Sequence, residues 1–547
     1  MRETRLWIGS AATLLTMISC TEEVKQPNIL YIMSDDHTTQ GVGAYGSRLA
    51  VLDPTPTIDR LAKEGMIMDR AFCTNAISTP SRGCIISGQY SQTNGILDLD
   101  DPLPIESQNL PREMNKLGYE TAIVGKWHLT NKPETFDYYN VFYGQGEYFD
   151  PILCEKGETQ KVMLKDKEVL GKKYIGHSSD VVTDITLDWF KNKRDKSKPF
   201  FLCHQFKAPH DMFEFNPKYT SYLADVDIPE PASLWDNENN GSVATKGVNN
   251  SLIHIIGSSI GKRNTVRNMG MHMEIDPNLS DKDYKRAAYQ ENLKRYLRCV
   301  KGVDDNTKRI FDYLEAEGLM DNTIIIYTGD QGFMLGEHDY IDKRWMYDET
   351  LRMPLLIRYP EKIKAGSRSG AIVNNVDFPA TIIDMAGGKV PDYMQGDSFK
   401  EILYNDGKEP EGWKQASYYR YWMHMAHMHN NPAHFGIRTK DYKLIFFYGL
   451  DHEERTAEQK FTKEMQDNKD SSTWEASSFP EMQTPAGWEL YDMKNDPYEM
   501  NNIYGDPRYA EITKQLKADL KKMREDLNET DAKFPQIQKI IDENWDK

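Results

Sequence analysis

Short apolar runs rich in β-branched residues recur along the chain at Asn28–Met33, Met66–Phe72, Thr121–Gly125, Phe200–Phe206, Thr323–Thr328 and Leu355–Tyr359. Their length and composition read as strands. Between several of them lie amphipathic stretches, Thr57–Glu64, Asp180–Lys193 and Ala287–Glu317, which predict helices. Strands alternating with helices predict an α/β fold, a large and mostly parallel central sheet flanked by helices on both faces. Residues 211–283 have no clear periodicity and are rich in Asn, Gly and Ser, so they are expected to form long excursions at the rim of a site. After about residue 400 the pattern changes. "FGIRTKDYKLIFFYG" (435–449) and "WELYDMKNDPYEMNN" (488–502) read as strands of a small antiparallel sheet, followed by a polar helix near 507–527. The body therefore divides into an N-terminal unit over 27–400 and a smaller α+β unit over 401–547.

The first twenty residues stand apart. Arg2 and Arg5 precede an apolar stretch from Leu6 to Ile18, too short to span a bilayer, which predicts a secretory signal. Met17-Ile18-Ser19-Cys20 resembles the lipobox of bacterial lipoproteins, in which the cysteine becomes the lipidated first residue; an ordinary cleaved signal is the alternative. Glu22 and Glu23 resemble surface-export signals of some Gram-negative gut bacteria. No later segment is apolar enough to span a membrane. The expectation is a body in the periplasm or at the cell surface, held to the outer membrane of a Gram-negative bacterium by a lipid at Cys20 alone.

Charge and cysteines narrow the partners. The 84 acids exceed the 67 bases, for a formal charge of −17 in 547 residues, which argues against a nucleic-acid partner but permits a basic pocket for a small anion. Beyond Cys20 the five cysteines, Cys73, Cys84, Cys154, Cys203 and Cys299, have neither a paired nor a metal-binding spacing, so disulfides do not carry the fold.

In a sheet of this kind reactive groups collect beyond the carboxyl ends of the strands. Asp35 and Asp36 follow the first strand, and Asp330 and Gln331 follow the Thr323 strand. Three carboxylates and an amide oxygen are hard donors suited to Ca²⁺ or Mg²⁺; a turn or helix cap is the plain alternative for each pair. In "AISTPSRGCIISGQY" Pro80 suits the first position of a helix, with Ser78 or Thr79 as its cap. Such an N-terminus is an anion site. Lys126 and His128 follow another strand, two residues apart and so facing one way. His210 follows another, and Lys343 comes shortly after the Asp330 strand. Singly, each of these reads first as a solvated base or a satisfied histidine; it is their joint placement after strands that points to a site.

Together these residues resemble the type I sulfatases of the alkaline phosphatase superfamily. The signature of that family, Cys or Ser, any residue, Pro, any residue, Arg, stands here as Ser78-Thr79-Pro80-Ser81-Arg82-Gly83. The resemblance runs from about Pro27 to "ELYDMKNDPYEMNNI" and is weakest over 211–283. It implies that Ser78 is oxidised to formylglycine by an anaerobic radical-SAM maturase, and that its hydrate attacks sulfur. It implies that Asp35, Asp36, Asp330, Gln331 and residue 78 hold Ca²⁺, with Gln331 a departure from the more usual Asn or His. It implies that Arg82 holds the formylglycine, that Lys126 and Lys343 neutralise sulfate oxygens, that His128 acts as a base in sulfate release, and that His210 protonates the leaving oxygen.

The stretch "YYRYWMHMAHMHNNPAHFGIRT" and the residues after Lys343 suggest a sugar pocket, with Trp422, His434, Arg438, Arg344 and Trp345 as candidates; a packed seam is the alternative for each. The strand H-x-GIRT-x-x-YKLI resembles that of glucosamine-6-sulfatases. The implied activity is exo-acting hydrolysis of a sulfated glycan of glycosaminoglycan or mucin, at the 6-O-sulfate of N-acetylglucosamine. Sulfated galactose or N-acetylgalactosamine, or a phosphatase or phosphonate hydrolase of the same superfamily, are the alternatives. The two-metal phosphatases need more Asp and His ligands where Lys126 and Lys343 stand here.

Overall fold

The computed structural model describes residues 26–235, 241–246, 275–276, 278–426, 431–453 and 483–547. The leader over 1–20, with Cys20, lies outside the described residues.

A ten-stranded sheet runs in the order Ser367–Asn374, Met66–Phe72, Leu355–Arg358, Thr323–Gly329, Asn28–Ser34, Phe200–Phe206, Glu120–Gly125, Tyr138–Phe142, Ile152–Glu155 and Lys172–Lys173. The five strands from Thr323–Gly329 to Tyr138–Phe142 are parallel to one another. Leu355–Arg358 runs against both of its partners. All seven residues of Asn28–Ser34 are buried, as expected for a strand covered on both faces. Its alternate residues feed two different cores. Ile29, Tyr31 and Met33 pack with Ile85, Met114 and Ile382 from the helices Ser78–Ser87, Asn109–Lys116 and Asp377–Met385. Leu30 and Ile32 pack with Leu61, Val182 and Leu297 from Ile58–Glu64, Ser178–Asp188 and Asp281–Ala316. The period of two in the strand thus sorts side chains onto the two helical layers.

The predicted strands are all present. Three expectations need correction. The helix expected over Asp180–Lys193 ends at Asp188 and continues as a π-helical turn over Trp189–Lys193. The long helix begins at Asp281, where the Ser280 hydroxyl accepts from the Asp283 N–H at 3.2 Å. The strand expected over 488–502 stops at Asp492, because Asp492 and Asp496 side chains accept from the following N–H groups and turn the chain.

Past residue 400, Ala416–Tyr421, His434–Thr439, Tyr442–Phe447 and Gly487–Asp492 form a four-stranded antiparallel sheet. Its outer face packs under the helices Ala510–Asp526 and Pro535–Asn544. This sheet meets the large one near Ser78: the Arg420 N–H donates to Thr74 O at 3.0 Å, and the Ala76 N–H to the Tyr419 hydroxyl at 3.2 Å. Among the described residues no helix is long and apolar enough to cross a membrane.

Candidate active site

Asn28–Ser34 and Thr323–Gly329 are paired in register, Ser34 opposite Gly329, so Asp35-Asp36 and Asp330-Gln331 leave the sheet side by side. Asp36 adopts a left-handed conformation (φ 62°) that a short polar side chain tolerates. Its N–H donates to Asp330 Oδ1 at 3.1 Å. All four side chains are buried.

The helix Ser78–Ser87 brings two more groups, one turn apart. Ser78 Oγ donates to Asp35 Oδ1 at 3.5 Å. Arg82 spreads its guanidinium over four oxygens: Asp35 Oδ2 at 2.9 Å, Asp330 Oδ2 at 3.1 Å, Gln205 Oε1 at 2.6 Å and the Lys126 carbonyl at 2.8 Å. The cap expected at Ser78 or Thr79 is not made. The N-cap is the extended Ile77, with no side-chain cap bond, and Ser78 is the first helical residue. The Ser78 hydroxyl turns to Asp35 instead, and Pro80 falls third, within the turn whose N–H groups lack intrahelical partners anyway.

Lys126 follows Gly125, whose φ of 103° and close approach to Gln205 O leave no room for a Cβ. Its ammonium ion-pairs with Asp35 and donates to Gln145 Oε1 at 2.5 Å. Lys343 donates to both oxygens of Asp36, at 2.6 and 2.8 Å. His128 Nδ1 lies 3.5 Å from Thr79 Oγ1, so His128 reaches the Ser78 turn, while Lys126 meets that helix through its carbonyl, which accepts from Arg82. His210 Nδ1 sits 2.7 Å from Asp211 Oδ1 and its Nε2 3.8 Å from Asp36 Oδ2.

The charges explain one another. Burial alone would raise Asp35, but Lys126, His210, Arg82 and Lys343 hold it well below the usual carboxylate range. Burial drives Asp36 up, and Asp35 and Asp330 add to this against the pull of Lys343. Burial lowers Lys126 to about 8 against the attraction of Asp35. Asp36 overcomes burial and keeps Lys343 firmly charged. Burial and then Lys126 and Lys343 bring His210 to about 4, and burial and Lys126 depress His128 as well.

The donor set fits a hard divalent cation. Gln331 Nε2 donates to Asp36 Oδ1, while its buried Oε1 has no hydrogen-bond partner. An orphaned amide oxygen beside three buried carboxylates is what an oxygen-loving ion satisfies.

Of the proposed sugar contacts, three gather beside the Ser78 turn. The Arg344 N–H donates to Ala76 O at 3.1 Å, and its guanidinium to Asp342 and the Tyr421 hydroxyl at 3.1 and 2.9 Å. Trp345 stacks on His434, whose Nδ1 is satisfied by Pro432 O and whose buried Nε2 has no partner. The other two are committed elsewhere. Arg438 forks onto Asp348 at 2.9 Å twice, and Trp422 lies under the Arg420 guanidinium at 3.4 Å. For Arg438 and Trp422 the packed seam describes what is observed. Pattern reading missed Gln145, Gln205 and Asp211, amide and acid partners that carry no signal of their own in the chain.

The sulfatase family model matches residues 27–388, and a model described as N-sulphoglucosamine sulphohydrolase, C-terminal, matches 336–479 and 478–526. The chain is 38% identical over 539 residues to an N-acetylglucosamine-6-O-sulfatase of Bacteroides thetaiotaomicron, spanning 92% of this chain and 88% of that protein. It is 26% identical over 536 residues to an ulvan-active sulfatase of Formosa agariphila, spanning 94% and 86%. A solved structure of a protein in complex with its substrate D-glucosamine-2-N,6-O-disulfate superposes with a TM-score of 0.77 at 35% identity, covering 93% of this chain and 99% of that one. Similarity of that depth over nearly the whole length, added to a serine–arginine turn seated on the acid cluster, leaves one assignment: the chain belongs to the sulfatase family of the alkaline phosphatase-like superfamily and is a sulfuric ester hydrolase.

Proposed function

We propose that the protein hydrolyses a carbohydrate sulfate, acting from the chain end on the 6-O-sulfate of N-acetylglucosamine. The observation that carries the reading is Ser78 Oγ at 3.5 Å from Asp35, inside a ring of Arg82, Lys126, Lys343 and His210. Asp35, Asp36, Asp330, Gln331 and residue 78 would hold Ca²⁺, or Mg²⁺ in its place. A divalent ion there supplies Lewis-acid polarisation of a sulfate oxygen. Oxidation of Ser78 to formylglycine by an anaerobic radical-SAM maturase supplies a hydrated aldehyde, with one hydroxyl to attack sulfur and another to expel sulfate. Unmodified serine lacks the adjacent base it would need for that work.

The chain's own residues do the rest. Arg82 ties the turn carrying residue 78 to Asp35 and Asp330. Lys126 and Lys343 point ammonium groups at the place where charge grows on the sulfate oxygens. His128, beside Thr79, takes a proton from the side chain at 78. His210, anchored through Nδ1 by Asp211, presents Nε2 to the leaving oxygen, and as the imidazolium it delivers the proton that spares that oxygen from departing as an alkoxide. Arg344, Trp345 and His434 line the sugar side, where aromatic faces stack on sugar rings and guanidinium pairs with anions. The choice of sugar is supported by the similar N-acetylglucosamine-6-O-sulfatase and by the strand His434–Thr439. The lipobox-like leader supports export and attachment to the outer membrane through Cys20.

The test is to produce the protein with an anaerobic maturase and offer monosaccharides sulfated at defined positions. Sulfate should be released fastest from N-acetylglucosamine 6-sulfate, and mass spectrometry should find the Ser78 peptide converted. Faster release from galactose or N-acetylgalactosamine sulfates would reassign the sugar. Preference for phosphate or phosphonate esters would overturn the reading.

A further inference from the structure

Five lysines are buried among the described residues: Lys126, Lys207, Lys285, Lys343 and Lys443. Four of them ion-pair, Lys126 with Asp35, Lys285 with Asp339, Lys343 with Asp36, and Lys443 with both Asp348 and Glu499. Lys207 does not. It is 6% exposed, yet among the described residues no carboxylate oxygen comes within 4.0 Å of its ammonium. Its one close partner is the face of Tyr148, 4.9 Å from Nζ to ring centre. Burying a charge without an ion partner is costly; the Lys207 ammonium is not among the fully buried unsatisfied atoms, so it is open to a group from outside the chain.

Its place in the fold says what that is. Lys207 follows the strand Phe200–Phe206 directly and begins the turn that carries His210, whose N–H donates to Lys207 O at 3.1 Å. The Tyr148 hydroxyl donates to His210 O, and the same loop carries Gln145, which accepts from Lys126. Burial disfavours the charge of Lys207, while Asp211, then Asp35, Glu214 and Glu147, attract it from beyond ion-pair distance, and it repels Lys126. It therefore stands in the wall that holds His210, on the side of the leaving group. Lys126 and Lys343 are ion-paired to Asp35 and Asp36 at the scissile sulfate; Lys207 has the Tyr148 face and no carboxylate at ion-pair distance.

Building on the carbohydrate-sulfatase reading, we infer that Lys207 is a specificity residue that receives a second anionic group, a sulfate or a carboxylate, on the sugar or chain leaving the scissile sulfate. The test compares the unsubstituted, converted enzyme with Lys207→Met and Lys207→Arg on three substrates. These are N-acetylglucosamine 6-sulfate, glucosamine 2-N,6-O-disulfate, and N-acetylglucosamine 6-sulfate joined to a uronic acid. Lys207→Met should lower kcat/KM at least about tenfold more for one of the doubly anionic substrates than for the first. Which one suffers identifies the anion as sulfate or carboxylate. Lys207→Arg should restore most of the difference, and Lys207→Met should melt no lower than the unsubstituted protein.

Equal losses on all three substrates, no loss on any, or a large fall in melting temperature would overturn the inference. Binding separates it from the reading beneath it. On a Ser78→Ala background calorimetry gives the affinity ratio of the same sugars without turnover. If the converted enzyme hydrolyses none of them, the carbohydrate reading fails while the ratio still decides Lys207. If the Ser78→Ala protein binds neither doubly anionic sugar, Lys207 has no such role.

Discussion

Arg82 and His210 show how differently two basic side chains are used at one site. Arg82 satisfies oxygens from four separate stretches of chain and is held by them. A lysine there would keep the charge but lose the planar fork, leaving Asp330 Oδ2 or Gln205 Oε1 without its arginine donor. Arg82→Lys is therefore expected to cut activity at least about a hundredfold, because a misplaced nucleophile costs that much; near-normal activity would show that the turn carrying residue 78 is held by something else. His210 is fixed only through Nδ1, which leaves Nε2 turned inward. If it protonates the leaving oxygen, its removal should hurt most where the leaving group is a poor one. His210→Ala should slow hydrolysis of a sugar sulfate by about 10²–10⁴. The loss on an aryl sulfate, whose phenolate departs without help, should be smaller by about tenfold or more. The same loss on both would remove His210 from proton transfer.

The elements that place these residues were legible in the chain to differing depths. Central strands such as Asn28–Ser34 and Thr323–Gly329 are buried on both faces, so they read as unbroken apolar runs that end where the acids begin. Tyr138–Phe142 and Ala416–Tyr421 mix polar and aromatic residues and lie toward sheet edges or the seam, and the pattern passed over them. The helix at Ser78 was placed correctly, but its cap was not, because the hydroxyl is drawn to an acid 43 positions away in the chain. Such partnerships leave no local trace. Asp304 is another. From the middle of the long helix Asp281–Ala316 its carboxylate accepts the Thr57 and Ile58 N–H groups at 3.0 and 2.9 Å, closing the N-terminus of Ile58–Glu64. Burial raises it to about 6 despite those bonds. A carboxyl that holds its proton more tightly when folded favours the native state below its unfolded pKa near 4, and that contribution disappears as pH rises through about 6. Relative to Asp304→Asn, the unsubstituted protein should therefore lose on the order of 2–3 kcal/mol of stability between about pH 4 and pH 6.5. Parallel denaturation curves for the two proteins across that range would refute the assignment.

At the scale of the whole molecule, two clusters of buried charge call for different tests. Beneath the C-terminal helices Arg420 and Arg524 meet Glu529 and Asp531, with Arg420 to Asp531 at 2.7 Å. There each cation has an anion. Arg420→Ala leaves buried carboxylates exposed to one another and should cost about 3–5 kcal/mol, read as a lower melting temperature; an unchanged melting temperature would show that the pairing contributes nothing. At the active site three acids face Arg82, Lys126 and Lys343, yet Gln331 Oε1 remains unpaired and burial still drives Asp36 up. The residues come from positions 35–36, 78 and 330–331, so the site exists only when the central sheet and the Ser78 helix are assembled together. An ion held there binds the native chain and not the unfolded one. At about one hundred times its dissociation constant it would stabilise the fold by roughly 2.7 kcal/mol. Adding Ca²⁺ to chelator-treated protein should accordingly raise the melting temperature. Gln331→Leu removes the unpaired oxygen without adding charge, and should need more Ca²⁺ for the same rise. The shift should vanish in Asp36→Asn/Asp330→Asn, whose remaining donors are too few and too weakly charged. Melting that ignores Ca²⁺ and Mg²⁺ alike in the unsubstituted protein would mean that the lysines and Arg82 already neutralise the acids, and that the cluster is an ion-pair network with no place for a metal.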